Sequence, residues 1–192
     1  MTHVQQGKLV ILSGPSGAGK TTVVRDLLAR CELPLVLSTS ATTRPPRPGE
    51  EEAVDYHFLS REEFTRRREK GDFLECFQVF GKGHWYGSLR YEVTSSLAKG
   101  KWVILEIDTQ GTLAVLEQYP DAITIFLRPR SMQELERRLR GRGTEQEETI
   151  LERLEVARRE LALAGRYEHQ VINDSVEQAV QDICKLLTQS GE

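Results

Sequence analysis

The sequence predicts an α/β protein built on a parallel sheet, and three observations carry that prediction. Short continuous apolar runs recur at residues 8–13, 102–107 and 122–127, with the length of strands buried on both faces. Segments with apolar residues at helical spacing separate them, as over 20–30, 132–139 and 176–187. A glycine-rich turn joins the first run directly to the first helical segment. Buried strands alternating with helices assemble into parallel sheets.

In chain order, 8–13 is the first strand, and 20–30 is a helix with Val23, Val24, Leu27 and Leu28 on its apolar stripe. Residues 35–37 form a short second strand. Residues 38–50 hold Ser, Thr, Arg, Pro and Gly with no apolar period, which predicts a loop. Residues 56–59 read as a strand, 61–70 as a charged helix with Phe64 inward, 73–80 as a strand and 81–87 as a turn. A helix over 92–99 stops at Gly100. The buried strands 102–107 and 122–127 follow. A helix over 132–139 places Met132, Leu135 and Leu139 on one face, and Gly141-Arg142-Gly143 breaks it. Residues 145–164 form a long charged helix with Ile150, Leu154, Ala157 and Leu161 as its stripe, 170–172 a last short strand and 176–187 a closing helix. The strand–helix rhythm lapses over about 39–91, as an inserted lobe would make it, and the charged stretch of about 133–163 is a second candidate mobile segment.

With 192 residues, 39% hydrophobic and 29% charged, the chain has the size of one domain and enough apolar side chain for a core, which excludes disorder as its main state. No run approaches the ~18 apolar residues a membrane helix needs. The apolar stretch 9–12 is too short for a signal-peptide core, so a cytoplasmic protein is expected. Cys31, Cys76 and Cys184 are odd in number and lack metal-ligand spacing. They are expected to be small, buried and reduced. A net charge of −3 argues against broad nucleic-acid binding.

Gly14-Pro15-Ser16-Gly17-Ala18-Gly19-Lys20-Thr21 matches G-x-x-x-x-G-K-[ST] between a predicted strand and a predicted helix. Glycines let several backbone N–H groups turn toward one anion, and the helix N-terminus adds partial positive charge. Lys20 is then placed for β- and γ-phosphates and Thr21 for Mg²⁺. An ordinary strand–helix turn is the alternative. The run Val103 to Asp108 ends in Glu106 and Asp108, two residues apart and so on one face of a strand. These carboxylates could serve metal-bound water, an acceptor substrate or both, or Asp108 could only cap the next helix. In the loop Ser40-Ala41-Thr42-Thr43-Arg44-Pro45-Pro46-Arg47-Pro48-Gly49-Glu50, prolines stiffen the segment that presents Arg44 and Arg47. Paired guanidiniums on a stiff loop suit a phosphate, and a Pro-rich docking segment is the plainer reading.

Taken together, the phosphate loop, the arginine loop, Val54-Asp55-Tyr56-His57-Phe58-Leu59, Phe73-Leu74-Glu75, Tyr86-Gly87-Ser88, Glu106-Ile107-Asp108-x-Gln110-Gly111, Arg140-Gly141-Arg142-Gly143-Thr144 and Val171-Ile172-Asn173-Asp174 resemble guanylate kinase, collinearly from about residue 8 to 187. The resemblance implies a P-loop nucleoside-monophosphate-kinase fold. Its central five-stranded parallel sheet is flanked by helices (core about 1–38, 92–132 and 164–192). A GMP-binding lobe (about 39–91) and a lid (about 133–163) are inserted. It implies transfer of the γ-phosphoryl group of Mg·ATP to GMP or dGMP, with Mg²⁺ as cofactor; from the charge and the short apolar runs no nucleic-acid or membrane partner is expected.

By position, the resemblance puts Gly14, Pro15, Ser16, Gly17, Ala18, Gly19, Lys20, Thr21, Thr22 and Asn173 on the ATP side. Arg44, Arg47, Tyr56 and Tyr86 fall on the GMP phosphate. Ser40, Glu75, Ser88 and Asp108, with Glu106 nearby, line the guanine or its approach. Arg138, Arg142 and Arg153 come from the lid onto the transferring phosphate beside Lys20 and Arg44, and Thr21 and Asp108 fall to the metal. The chemistry agrees, since guanine offers two adjacent donors, N1–H and the exocyclic amine, to one carboxylate, whereas adenine presents a bare acceptor at N1.

Three positions depart from the family pattern. Ala53 stands where glycine is usual, the segment Gly81 to Gly87 is longer by about two residues, and Cys76 replaces a bulkier aromatic. The competing readings are a kinase for another nucleoside monophosphate, a catalytically inactive guanylate-kinase-like binding module, and a phosphate-loop ATPase without a nucleotide acceptor. The intact phosphate loop, the arginine loop and the Glu75/Ser88/Asp108 set weigh against all three.

Overall fold

A computed structural model describes residues 7–78, 83–141 and 147–191. In chain order its elements are β1 (Leu9–Ser13), α1 (Lys20–Arg30), β2 (Leu35–Leu37), β3 (Ser40–Thr42), β4 (His57–Phe58), α2 (Arg61–Glu69), β5 (Phe73–Gln78), β6 (Trp85–Leu89) and α3 (Arg90–Ala98). Then come β7 (Trp102–Glu106), α4 (Thr109–Leu116), β8 (Ile123–Arg128), α5 (Met132–Arg140), α6 (Glu147–Ala162), a 3-10 turn (Ala164–Arg166), β9 (His169–Ile172) and α7 (Val176–Gln189). A five-stranded parallel sheet flanked by helices has the order β2-β7-β1-β8-β9, and a four-stranded sheet has the order β4-β3-β6-β5. In the larger sheet the order reverses around β1, the strand that feeds the glycine-rich turn. Open α/β sheets place ligands at the carboxyl end of such a switch point.

The chain divides into two compact units, one of residues 1–10, 34–105 and 110–122 and one of 11–33, 106–109 and 123–192. In the first, β2 runs parallel to β7, with Leu35 beside Trp102. The small sheet packs Ala41, Phe64, Phe73 and Leu89 into one cluster, and the Phe64 and Phe73 rings stack at 4.4 Å. Ser60 caps α2 by accepting the Glu63 N–H, the S-x-x-E arrangement that fixes a helix start. In the second unit, β8 and β9 pair in parallel, and α5 and α6 bury Leu135, Leu139, Ile150, Leu154 and Ala157 against one another. Ser131 and Ser175 cap α5 and α7 in the same way as Ser60.

The helix expected over 20–30 is found with those bounds. Within the segment expected to be loop, Ser40–Thr42 is a strand, antiparallel to β6 with Ala41 opposite Gly87. A three-residue strand buries too few side chains to show a period. β6 begins at Trp85, inside the expected turn, and α6 ends at Ala162, short of the expected 164, where a 3-10 turn takes over. Residues 79 and 80 of the expected strand, and 145 and 146 of the expected helix, lie outside the described residues. The three cysteines are free but only half-buried, a correction to the expectation of full burial. Cys31 lies just beyond the last turn of α1, and Cys184 is near enough to it for a thiol hydrogen bond. Burial, with that contact, pushes the Cys184 thiol up to about 12.

Candidate active site

At Gly14 and Gly19 the glycine-rich turn has no room for a side chain. Gly14 sits at φ +143°, and a Cβ there would lie 2.1 Å from the Leu127 carbonyl oxygen. Gly19 sits at φ +92°, where a Cβ would meet Asn173 Nδ2 at 2.5 Å. Gly19 is also the N-cap of α1, which has no side-chain cap and no acidic residue in its first turn. Its leading amides therefore have no side-chain cap. Lys20 folds back over the turn, donating to the carbonyls of Gly14 at 2.7 Å and Pro15 at 3.3 Å.

Residues far along the chain hold the turn in place. Asn173, just past β9, donates to the Ala18 carbonyl at 2.7 Å. Arg138 on α5 donates to the Asn173 carbonyl at 2.9 Å and to the Ala18 carbonyl at 3.4 Å. Glu134 steadies Arg138 at 2.9 Å. Hydrogen bonds from Arg137 and then Arg138 hold the Glu134 carboxyl down at about 2. Arg153 on α6 donates to Ser16 Oγ at 2.6 Å. Gly14 to Lys20, Arg138, Arg153 and Asn173 thus converge on one turn. Thr22 is exposed on the first turn of α1, and Arg142 lies outside the described residues.

The carboxyl end of β7 belongs to the same unit. Thr21 Oγ1 donates to Glu106 Oε1 at 2.8 Å. Glu106, expected on the acceptor side, therefore bonds the first turn of α1, and Asp108 follows two residues on. A third acid, Glu160 on α6, is only 8% exposed, and its Oε2 is buried without a hydrogen-bond partner. Burial drives the Glu160 carboxyl up to about 7; the charge of Lys20 opposes the rise and that of Asp108 adds to it. Sequence reasoning passed over Glu160, although an acid three residues beyond Ala157 on the inward stripe of α6 was its visible signal.

The other unit carries the remaining residues on the small sheet and its loops. Arg44 Nε donates to the Tyr86 hydroxyl at 3.2 Å, and its guanidinium lies 5.3 Å from the Tyr56 ring centroid. Tyr56 and Tyr86 meet edge to face at 5.9 Å. Glu50 grips Arg44 at two points, 2.9 and 2.8 Å, and also accepts the Arg47 N–H at 2.7 Å. The Arg44 hydrogen bonds hold the Glu50 carboxyl below its usual range and raise Arg44 in return. Arg47 itself is exposed. In the sequence Glu50 is only the end of the loop motif, and its spacing from Arg44 gives no sign of the two-point clasp.

Two residues beyond Tyr86 on β6, Ser88 Oγ donates to Glu75 Oε1 at 2.7 Å, both residues buried and paired across β5 and β6. Ser40 pairs with Ser88 on the other side, so Ser40, Ser88 and Glu75 form one row across three strands. Of the three departures, Ala53 does take a left-handed backbone, at φ +61°. Its N–H donates to the Tyr56 carbonyl at 2.9 Å, which closes the turn before β4. Cys76 lies opposite Gly87, where a Cβ would fall 2.8 Å from the Cys76 Cβ; the pairing leaves no room for a larger residue at 87. Gly81 and Lys82 lie outside the described residues, as does the expected lengthening of that segment.

Comparison with known proteins gives a consistent answer. The family model for guanylate kinase matches residues 6–190. The chain is 58% identical to the guanylate kinase of Rhodopirellula baltica over 182 residues, 94% of this chain and 87% of that one. It is 45% identical to that of Fusobacterium nucleatum, covering 94% and 96%. The crystal structure of guanylate kinase from Anaplasma phagocytophilum superposes with a TM-score of 0.79 at 31% identity, over 97% of this chain and 87% of that one. A shikimate kinase from Bacteroides thetaiotaomicron, 19% identical with a TM-score of 0.53, shares the fold alone. The family model spans nearly the whole sequence and relatives well above 30% identity cover almost all of it, so the chain belongs to the guanylate kinase family.

Proposed function

We propose that the chain transfers the γ-phosphoryl group of ATP to GMP, and to dGMP, giving ADP and the nucleoside diphosphate. The observation that carries the acceptor is the buried Glu75–Ser88 pair. A carboxylate so placed accepts both guanine donors, N1–H and the exocyclic amine. Adenine would set its N1 lone pair against the same oxygen, and a buried acceptor left unpaired discriminates strongly. Ser40, in the same row, and Asp108 complete the guanine side.

Arg44, Arg47, Tyr56 and Tyr86 take the GMP phosphate. Glu50 and the two tyrosines hold Arg44 in advance, so little side-chain entropy is lost on binding. On the donor side, the turn from Gly14 to Gly19 binds the ATP phosphates through backbone amides, with Asn173 bracing it. Lys20 leaves the carbonyls of Gly14 and Pro15 for phosphate oxygens. Arg138, Arg142 and Arg153 neutralise charge on the group in transit. The acceptor oxygen is already anionic near neutral pH, so no strong general base is needed. The work of the site is alignment and electrostatic screening of two polyanions, with lobe and lid closing to exclude water.

The residues present fit Mg²⁺. The Thr21 hydroxyl commits its proton to Glu106, leaving oxygen lone pairs as the ligand it offers, and Asp108 adds a hard carboxylate. Among the described residues no group of three or more His, Cys, Asp or Glu forms a metal cage, so Thr21 and Asp108 would share the ion with phosphates and water. When bound it would neutralise phosphate charge. No helix among the described residues is long and apolar enough to cross a membrane, and three free cysteines suit a reducing cytoplasm.

A nucleotide panel tests the reading. ADP formation from Mg·ATP is followed with GMP, dGMP, AMP, UMP, CMP and dTMP, with the Lys20→Ala chain as blank. Activity confined to GMP and dGMP and lost in the blank is expected. Activity on another acceptor overturns the role of Glu75, and none on any acceptor overturns the kinase.

A further inference from the structure

His57 lies where three segments of the acceptor side meet. Its Nε2 is 2.6 Å from Glu92 Oε1, and its Nδ1 is 3.3 Å from Glu52 Oε1. Each carboxylate also ties down backbone through its other oxygen. Glu92 accepts the Thr39 N–H at 3.2 Å, and Glu52 accepts the Phe58 N–H at 2.8 Å. Both ring nitrogens therefore face acceptors. A neutral imidazole has a single N–H and satisfies one of them, whereas the protonated ring satisfies both.

The connections lead to the acceptor site. Thr39 precedes Ser40. Tyr56, against the Arg44 guanidinium, precedes His57 and is bridged to Glu52. Glu92 lies in the first turn of α3, which continues directly from the strand that carries Tyr86 and Ser88. His57 itself is paired to Ala41 of β3. One side chain thereby links the segments bearing Ser40, Tyr56 and Ser88, none of which it needs to touch.

We propose that His57, held between Glu92 and Glu52, is a positioning residue that sets the spacing of the GMP-contacting segments in the small sheet. The proposal rests on the kinase reading above. It acts on the acceptor alone, because none of these contacts involves the phosphate loop.

The test compares wild type with His57→Gln, Glu92→Gln and the double variant by steady-state kinetics, varying GMP and ATP separately. Losing one charge-assisted contact of this kind should raise the KM for GMP about tenfold in either single variant, with the KM for ATP and kcat held within about twofold. The double variant should be no worse than His57→Gln, which already breaks the link to Glu92. Amide exchange over residues 39–42 and 52–58 should quicken in the singles without substrate, while that over 14–21 stays as in wild type. A GMP KM within twofold of wild type, equal rises for both substrates, or additive effects in the double variant each overturn the role of His57. A wild-type chain that forms no ADP with GMP overturns the kinase reading and this proposal with it.

Discussion

Ser88 donates its hydroxyl to Glu75 at 2.7 Å across the register pair that joins β5 to β6, and both side chains are shielded from water. The contact aims the carboxylate and supplies one of its hydrogen bonds. Ser88→Ala removes that donor, worth about 1.5–3 kcal/mol for a charged acceptor. The expected result is a fall of about tenfold or more in kcat/KM for GMP, with a larger fall for Glu75→Gln. Rates with AMP in place of GMP should stay at background in both. Unchanged GMP kinetics in either variant would remove the pair from base recognition.

Glu50 holds the Arg44 guanidinium at two points and the Arg47 amide at a third. Glu50→Gln keeps the shape but loses the two-point ion pair, which is 10% and 17% exposed at its partners. A KM for GMP higher by about tenfold is expected, with ATP binding intact. Equilibrium titration with GMP and with ATP separates the two. A parallel loss of ATP affinity would show a general loosening of the fold instead.

Glu160 carries a stability signature with a definite sign. Its carboxyl is raised from 4.5 to about 7 by burial, so the folded protein binds its proton more tightly than the unfolded chain does. Below about pH 4.5 both forms are protonated and there is no penalty. As pH rises toward 7 the penalty grows, reaching on the order of 3 kcal/mol and staying there above. Glu160→Gln should therefore match wild type in melting temperature near pH 4.5 and exceed it by several degrees at pH 8. Melts across that range that run parallel would refute the buried, destabilising carboxylate.

Ala53 occupies a backbone conformation, φ +61°, that disfavours any residue with a Cβ. The left-handed region costs an L-residue about 1–2 kcal/mol, while glycine gives back about 0.4–1 kcal/mol through the unfolded chain. Ala53→Gly should raise the melting temperature by about 1–3 °C. A lower melting temperature would mean that the stiffness alanine gives the unfolded chain outweighs the strain.

What could be read from the sequence was local in the chain. The turn from Gly14 to Thr21 and the helix 20–30 were legible because contiguous residues make them, and the structure keeps the helix bounds unchanged. The strand at Ser40–Thr42 was not, because what makes it a strand is Tyr86 to Ser88, supplied by a distant segment. The clasp of Glu50 on Arg44 spans only six residues, but no regular element fixes that spacing, and the burial of Glu160 showed only in its place on the α6 stripe. The family resemblance marked Glu75 and Ser88 as neighbours of guanine, but not that one would donate to the other. Arg142 stays an expectation from its motif.

Asn173 fills the space beside Gly19 and holds the Ala18 carbonyl, while its own carbonyl receives Arg138. The glycine-rich turn therefore leaves the ribosome 155 residues ahead of the side chain that braces it. A nascent chain that already carries every residue from Gly14 to Thr21 still lacks the amide that braces them until β9 has been synthesised. A message cut short before the codon for Asn173 would encode the whole motif and yield a loop without its support.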